Sequence, residues 1–224
     1  MNYATLFETI KGYVENDFPN TQFTDTAGSD ATLTSKEQID TFIQQAEQRI
    51  YNSVQFPNFR KNQTGTLTAD NKYLEAPVDF LASYSLAVIT SGSYEYLLNK
   101  DVNYIRAAYP NPTDTGVPKY YAQFDDNTFI LAPTPDAAYT VEMHYFFYPE
   151  SIVTASTTWL GDNFDSALLY GALVEAYTYM KGEPDVLAGY NKRYEEAMIL
   201  AKRLGDGMER RDAYRSGQVR MSVN

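Results

Sequence analysis

The run DNFDSALLYGALVEAYTYM, at residues 162–180, constrains the fold of this chain more than any other stretch. Outside Asp162, Asn163, Asp165 and Glu175, it consists almost entirely of apolar, small or aromatic residues. Its apolar residues recur at helical spacing and cover more than one face of a helix. The run therefore predicts a central helix that packs on at least two sides, against partners from elsewhere in the chain.

Two amphipathic helices are predicted ahead of this run. The first extends to Pro19, which ends it because proline cannot continue a helix. The polar residues 20–32 have no periodicity and predict a long loop. The second helix ends before Pro57, and two residue pairs offer the capping box that begins it: Thr34 with Glu37, or Ser35 with Gln38.

From residue 65 onward the sequence indicates strands, because Thr, Tyr, Val and Phe become frequent between Gly, Pro and Asp-Asn breaks. Residues 65–68 and 72–75 predict a hairpin, and Ser91 with Gly92 predicts the turn of a second hairpin. Residues 101–109 predict one or two helical turns. We expect a β-rich insert of roughly five to seven strands, near the usual sheet size.

The central helix follows a Thr/Ser-rich connection at residues 151–158. Gly182 stands where a C-terminal glycine cap belongs, and Pro184 suits the first turn of a fourth helix. The predicted fold class is α+β: a four-helix bundle of two N-terminal and two C-terminal helices, an inserted β-rich subdomain and an extended C-terminal tail. The predicted domain boundaries are 1–60 and 160–204 for the bundle, 61–159 for the insert and 205–224 for the tail.

Composition narrows the classes of function. The formal net charge of -11 disfavours a surface that binds the phosphate backbone of nucleic acids. The absence of cysteine excludes disulfides, thiolate nucleophiles and Cys-ligated metals. No window reaches the roughly 18 apolar residues of a membrane helix, so we expect a soluble, unprocessed protein.

A search for catalytic and metal-binding residues yields few candidates. His144, the only histidine, is either a general base or an ordinary sheet histidine, and no recognised motif ties a serine or an acid to it. The run at residues 125–127, Asp-Asp-Asn, offers oxygens to calcium but is also a common turn sequence. Asp162 and Asp165 form either a carboxylate pair or two helix caps. For each candidate we favour the structural interpretation: an ordinary sheet histidine, a turn and two helix caps. We therefore expect no enzyme activity, metal or cofactor.

Twenty tyrosines are the most unusual feature of the composition. Tyrosine rings line carbohydrate sites and stack on bases, but they are also frequent in protein cores and interfaces. We favour core and subunit interface over ligand stacking.

The order of several short motifs carries a family resemblance. These are APVDFL at 76–81, GVPKYY at 116–121, ILAPTPDAAY at 130–139, WL at 159–160 and the helical residues 168–176. In this order and spacing they resemble the head-to-tail adaptor proteins of tailed phages, the group that includes tail tubular protein A. The resemblance extends over most of the chain, from the first helix to the fourth.

The resemblance implies a structural virion protein rather than an enzyme. Proteins of this family form a dodecameric ring under the portal protein, extend the DNA channel, and connect to a tail nozzle or tail tube protein. The genomic DNA passes through without sequence-specific binding, and no membrane is involved. The expected location is the virion neck, after synthesis in the host cytoplasm.

Charge separates the last residues from the rest of the chain. Residues 1–201 contain 12 basic and 26 acidic side chains, a net charge of -14, whereas residues 202–224 contain six basic and three acidic ones, a net charge of +3. An acidic wall repels DNA, and a basic tail pairs with an acidic partner. The predicted portal-binding residues all lie in the tail: Arg210, Arg211, Tyr214, Arg215, Val219, Arg220 and Met221.

Two other classes of function remain as alternatives. The tyrosines suit a carbohydrate-binding or tail-fibre-associated module. A wall hydrolase would instead require two carboxylates that converge in a cleft.

Overall fold

The structure is a computed structural model that describes residues 1–24, 30–54, 56–111 and 113–209. It contains two compact units: a helical unit, Met1–Pro57 with the residues from 150 onward, and a β unit, Asn58–Pro149. A 3₁₀ turn at Pro57–Phe59 precedes the first strand of the β unit. In chain order, the helices and strands are α1 (Tyr3–Val14), β1 (Thr21–Thr24), β2 (Asp30–Leu33), α2 (Ser35–Ser53), β3 (Arg60–Thr66), β4 (Tyr73–Glu75), β5 (Phe80–Thr90), β6 (Ser93–Tyr96), β7 (Leu98–Asn99), α3 (Val102–Ala108), β8 (Tyr120–Gln123), β9 (Thr128–Ala132), β10 (Thr140–Phe147), α4 (Ile152–Ala155), α5 (Trp159–Asn163), α6 (Asp165–Met180) and α7 (Pro184–Glu209).

Helices α1 and α2 begin at side-chain caps. The Asn2 side chain accepts the backbone N–H of Thr5 at 2.9 Å, and Thr34 with Glu37 forms the first of the two predicted capping boxes. Helix α1 ends at Val14, earlier than predicted, because the next residue adopts a left-handed conformation. The predicted α2 helix is confirmed, and its apolar face is buried: Ile39, Phe42, Ile43, Ala46 and Ile50.

A two-stranded hairpin occupies part of the predicted loop at residues 20–32. Strands β1 and β2 are antiparallel, with Thr21 opposite Leu33 and Thr24 opposite Asp30. The loop prediction is wrong for these strands. Each strand is only four residues long: β1 has a single apolar residue, and the polar–apolar alternation of β2 extends over four residues, too short a run to indicate a strand by itself.

Helix α6 lies between α2 and α7, which confirms the prediction that the central helix packs on two sides. A Cβ atom at Gly171 would lie 3.1 Å from the Ala46 Cβ on α2 and 3.2 Å from the Tyr194 ring on α7. The absence of a side chain at Gly171 therefore permits the close approach of three helices. The predicted single helix over residues 162–180 is wrong in one respect, because Phe164 leaves helical geometry and separates α5 from α6.

The end of α6 also differs from the prediction. Lys181, and not Gly182, adopts the left-handed conformation, with a φ of 55°. Gly182 is required for a different reason, since a Cβ atom there would lie 2.5 Å from the Tyr177 ring. Pro184 begins α7, as predicted.

The β unit consists of two four-stranded sheets, with strand orders β3-β10-β5-β6 and β4-β9-β8-β7. The hairpin predicted for residues 65–68 and 72–75 is wrong, because β3 and β4 belong to different sheets and pair with β10 and β9. The β5–β6 hairpin is confirmed. Its turn residues, Ser91 and Gly92, both have positive φ, as a two-residue hairpin turn requires.

Both sheets contribute to the core of the β unit, and α3 covers the other face of the second sheet. Strand β9 shows this through its alternation: Phe129 and Leu131 enter the core, while Ile130 packs with Ile105 of α3. The buried residues of the core are Leu67, Leu86, Val88, Leu97, Tyr121, Phe129, Leu131, Val141, Met143 and Tyr145.

The predicted four-helix bundle is therefore wrong as a description of the fold class. Within the described ranges the α+β structure has seven α-helices and three sheets, one of which is the β1–β2 hairpin of the helical unit. The Thr/Ser-rich connection at residues 151–158 contains α4, which is too short for a periodic pattern to reveal.

Candidate docking surfaces

The residues predicted to bind the portal lie outside the described residues: Arg210, Arg211, Tyr214, Arg215, Val219, Arg220 and Met221. The described residues end at Glu209, directly before the first of them. Helix α7 continues through Glu209, so residues 205–209, assigned to the extended tail from the sequence, are helical. Gly205 and Gly207 lie inside this helix, where each glycine weakens the helix by roughly 1 kcal/mol relative to alanine without ending it.

His144 lies on β10, opposite Asn62 of β3 and Ser85 of β5. Its ring packs edge-on against the Tyr84 ring, with centroids 5.2 Å apart. In the described part of the chain, no carboxylate hydrogen-bonds to His144. The arrangement is that of a sheet-face histidine packed against an aromatic ring.

The acidic run at residues 125–127 forms the turn between β8 and β9. The Asn127 backbone N–H donates to the Asp125 carboxylate at 2.9 Å, and the Phe124 N–H donates to the Thr128 carbonyl at 2.8 Å. These bonds are those of a local turn. Among the described residues, no three acidic or histidine side chains are arranged to hold a metal ion.

Asp162 and Asp165 belong to two successive helices and are both exposed. The prediction that they are helix caps is wrong, because Thr158 caps α5 through the Gly161 N–H and no side chain caps α6. They lie in the first turns of α5 and α6, where negative charge is favourable.

A buried carboxylate that sequence reasoning missed connects α2 to α4. Glu47 is 2% exposed and accepts the backbone N–H of Ile152 at 2.9 Å. Burial raises the pKa of Glu47 above its usual range, while hydrogen bonds from Ser151 and Ile152 partly offset that rise. The sequence signal was present, since Glu47 lies between Ile43 and Ile50 on the apolar face of α2.

A second polar contact joins α1 to α2. The Tyr3 hydroxyl and the Lys36 ammonium each donate to the Asp40 carboxylate at 2.6 Å. Burial and the hydrogen bond to Asp40 raise the pKa of Tyr3, and the same carboxylate raises the pKa of Lys36 to about 12. These contacts fix one helix against the other.

In the β unit, Asp79 accepts hydrogen bonds from two side chains. The Tyr145 hydroxyl donates at 2.7 Å and the Lys61 ammonium at 2.6 Å. Hydrogen bonds from Lys61 and, to a smaller extent, from Tyr145 lower the pKa of Asp79. Burial and the hydrogen bond to Asp79 raise the pKa of Tyr145 to about 12. The network ties the segment before β5 to β3 and β10.

A groove between the C-terminal end of α2 and the middle of α7 has a volume of about 330 Å³; we call it the α2/α7 groove. The Tyr194 hydroxyl is inaccessible to solvent and has no hydrogen-bond partner among the described residues. Ile199 is 51% exposed at the groove and offers an apolar contact. The groove is lined by Arg49, Ser53, Tyr194, Glu195, Met198, Ile199 and Lys202.

Among the described residues, the polar contacts above join elements within one unit, and the α2/α7 groove is open to solvent. In the comparison with protein families, the family model described as SU10 adaptor protein matches residues 1–222. The chain belongs to the SU10 adaptor protein family. No match was found among the curated proteins.

Membership of this family confirms the resemblance to the head-to-tail adaptors of tailed phages. The adaptor has a structural role in the virion neck, where it interacts with portal and tail components. None of its helices, within the described ranges, is long and apolar enough to cross a membrane.

The β unit of the adaptor also exposes aromatic side chains along one sheet edge. Among the described residues, strand β6 pairs only with β5, and its residues Tyr94 and Tyr96 are 49% and 67% exposed. Alternate residues of a strand share a face, so both side chains project from the same face of the sheet. Exposed tyrosines of this kind are typical of protein interfaces.

Proposed function

We propose that the adaptor forms a dodecameric ring beneath the portal protein, extends the DNA channel and receives the tail nozzle or tail tube protein. The observation that carries this proposal is the family match over residues 1–222. Genomic DNA passes through the ring without sequence-specific binding. The adaptor is made in the host cytoplasm and then becomes part of the neck.

The charge distribution supports a channel wall that does not retain DNA. Residues 1–201, with 12 basic and 26 acidic side chains, have a net charge of -14. A surface of this sign repels phosphate groups, and few cations are available to neutralise them. DNA therefore moves past the adaptor during packaging and ejection.

The C-terminal segment, residues 210–224, supplies the portal anchor in this proposal. Its arginines form charge-assisted bonds with portal carboxylates, and its apolar residues enter pockets between portal subunits. The residues with these roles are Arg210, Arg211, Tyr214, Arg215, Val219, Arg220 and Met221.

Co-sedimentation with the portal ring of the same virus tests the anchor. Deletion of residues 210–224 should abolish binding, while the helical circular-dichroism signal and the melting temperature stay close to those of the full chain. Higher salt should weaken binding of the full chain, because exposed ionic attraction is screened. A truncated chain that co-sediments as well as the full chain would show that the anchor lies elsewhere.

A further inference from the structure

The β unit exposes an apolar ridge on the side where the chain passes from one four-stranded sheet to the other. Strands β6 and β7 are separated only by Leu97, which is buried in the core of the unit. Because successive residues of an extended chain point to opposite faces, the residues that alternate with Leu97 point outward. Three of them, which are 49%, 67% and 59% exposed, form what we call the β6/β7 ridge: Tyr94, Tyr96 and Leu98.

The opposite side of the same unit contains an open groove. Strands β3 and β4 are the sheet edges on this side, and among the described residues β3 pairs only with β10 and β4 only with β9. The groove between the two edges, which we call the β3/β4 groove, has a volume of about 280 Å³. Its apolar lining comes from buried Val141 and Met143, half-buried Leu74 and Ala76, and fully exposed Val78.

Each of these surfaces also has one exposed charge. Lys100 follows the ridge by two residues, and its ammonium lies over the Tyr104 ring, 5.2 Å from the centroid. Glu75 lines the groove. Among the described residues, neither Lys100 nor Glu75 has an ion pair. The ridge therefore has a free cation beside it, and the groove has a free anion.

Neighbouring charged residues do not change this assignment. The Asp101 carboxylate accepts the Asn103 backbone N–H at 2.7 Å and caps α3. On the groove side, Lys61 pairs with Asp79 at 2.6 Å, so these two charges offset each other. Glu95 lies on the same face of the strand as Leu97, opposite to the ridge.

A ridge and a groove at opposite sides of one unit complement each other between copies of the chain. The groove volume is below the roughly 300–1,000 Å³ of small-molecule pockets, so the groove suits protein side chains. A contact between two different patches repeats from copy to copy, and it closes into a ring when the rotation between copies permits. Free charges of opposite sign on the two patches favour the same contact.

We propose that the β6/β7 ridge of one adaptor copy enters the β3/β4 groove of the next copy, with Lys100 of the first copy opposite Glu75 of the second. The inference rests on the ring proposed above and names the subunit contact that forms it. Each contact is small, so it holds copies together only when the portal ring keeps many of them side by side.

Charge reversal tests the contact, with electron microscopy measuring the adaptor concentration at which half of the portal rings carry a complete adaptor ring. Lys100→Glu and Glu75→Lys should each raise this concentration about tenfold, because like charges then meet at every contact. The variant with both changes restores opposite charges and should assemble within about threefold of wild type. Lys192→Glu makes the same charge change on α7 of the helical unit and should assemble like wild type.

Tyr96→Asp tests the apolar part of the contact. It places a carboxylate against the apolar lining of the groove, so the concentration for ring assembly should rise at least about tenfold. Its melting temperature should equal that of wild type, since the Tyr96 side chain is 67% exposed in the free protein.

The outcomes separate this contact from the ring on which it rests. If the wild-type chain forms a ring on the portal and Lys100→Glu, Glu75→Lys and Tyr96→Asp assemble equally well, the contact is wrong and the ring stands. A double variant as impaired as the single ones would show that the two charges face other partners, and the contact is again wrong. If wild-type copies form no ring on the portal, the ring and the contact both fail. Variants that form the ring but no longer bind the tail component would assign the ridge to the tail and overturn the contact.

Discussion

The Glu47 carboxylate of α2 accepts the Ile152 backbone N–H of α4 at 2.9 Å, although 105 residues separate the two in sequence. Both groups are buried. The contact satisfies a free N–H at the start of α4. It joins the two parts of the helical unit, one of which precedes the β unit in the sequence and one of which follows it. This hydrogen bond explains why a buried carboxylate lies on the apolar face of α2.

Replacement of Glu47 should destabilise the protein through this contact. Glu47→Ala leaves the buried Ile152 N–H without an acceptor, which costs about 1–3 kcal/mol. Urea unfolding followed by circular dichroism measures the change in the free energy of unfolding. Glu37→Ala removes another acidic residue of α2 at an exposed cap and should have a smaller effect. Equal effects of the two changes would contradict the role assigned to Glu47.

The stability of Glu47→Gln relative to wild type should depend on pH. The folded-state pKa of Glu47 is raised above its usual 4.5, so the unfolded chain ionises first as pH rises. Protonated Glu47 makes its full contribution to the free energy of unfolding below pH 4.5, and this contribution is lost as pH rises through the folded-state pKa. Between pH 4 and pH 7, the stability of Glu47→Gln should therefore increase relative to wild type. A constant difference across this range would refute the raised pKa.

The close packing around Gly171 predicts that a larger side chain destabilises the protein at Gly171 but not at Gly189. Gly171→Val should destabilise the helical unit by about 1–3 kcal/mol, because a side chain there collides with α2 and α7. Gly189→Val in α7 is the matched control, since a Cβ atom at Gly189 meets no atom within 4 Å. Its melting temperature should match or slightly exceed that of wild type. Similar losses at both positions would argue against the packing of α6 between its neighbours.

In the β unit, the hydrogen bond from Tyr145 to Asp79 should contribute more to stability at neutral pH than at acidic pH. Tyr145→Phe should lower the stability at pH 7 by about 1 kcal/mol. The pKa of Asp79 is lowered below its usual 3.8, so its contribution is present above that pH and disappears as pH falls through the lowered value. Thermal melts at pH 7 and pH 2.5 measure the change. Tyr139→Phe, which removes an exposed hydroxyl bonded to Asp136, is the control and should leave the melting temperature unchanged.

Local signals in the sequence predicted several elements correctly. The capping box at Thr34 and Glu37, the Ser91-Gly92 turn and the proline at the start of α7 each depend on neighbouring residues alone. The family resemblance likewise depended on short motifs in order. These features were predictable because the residues that decide them are adjacent in the chain.

Features decided by distant residues were not predictable in this way. Strands β3 and β4 are close in sequence yet belong to different sheets, because each pairs with a strand more than 50 residues away. Gly182 accommodates the Tyr177 ring instead of capping α6. The α2/α7 groove combines residues from two helices about 140 residues apart, a combination that no local pattern indicates.

Electron microscopy of the purified adaptor mixed with the portal ring of the same virus tests the central claim most directly. The account predicts that the adaptor alone is a 25.4 kDa monomer by light scattering, because weak subunit contacts become effective only when many copies are held on one template. On the portal it predicts a single ring of twelve adaptor copies that continues the central channel. A portal ring that remains bare at saturating adaptor, or an adaptor ring with a different number of copies, would contradict it.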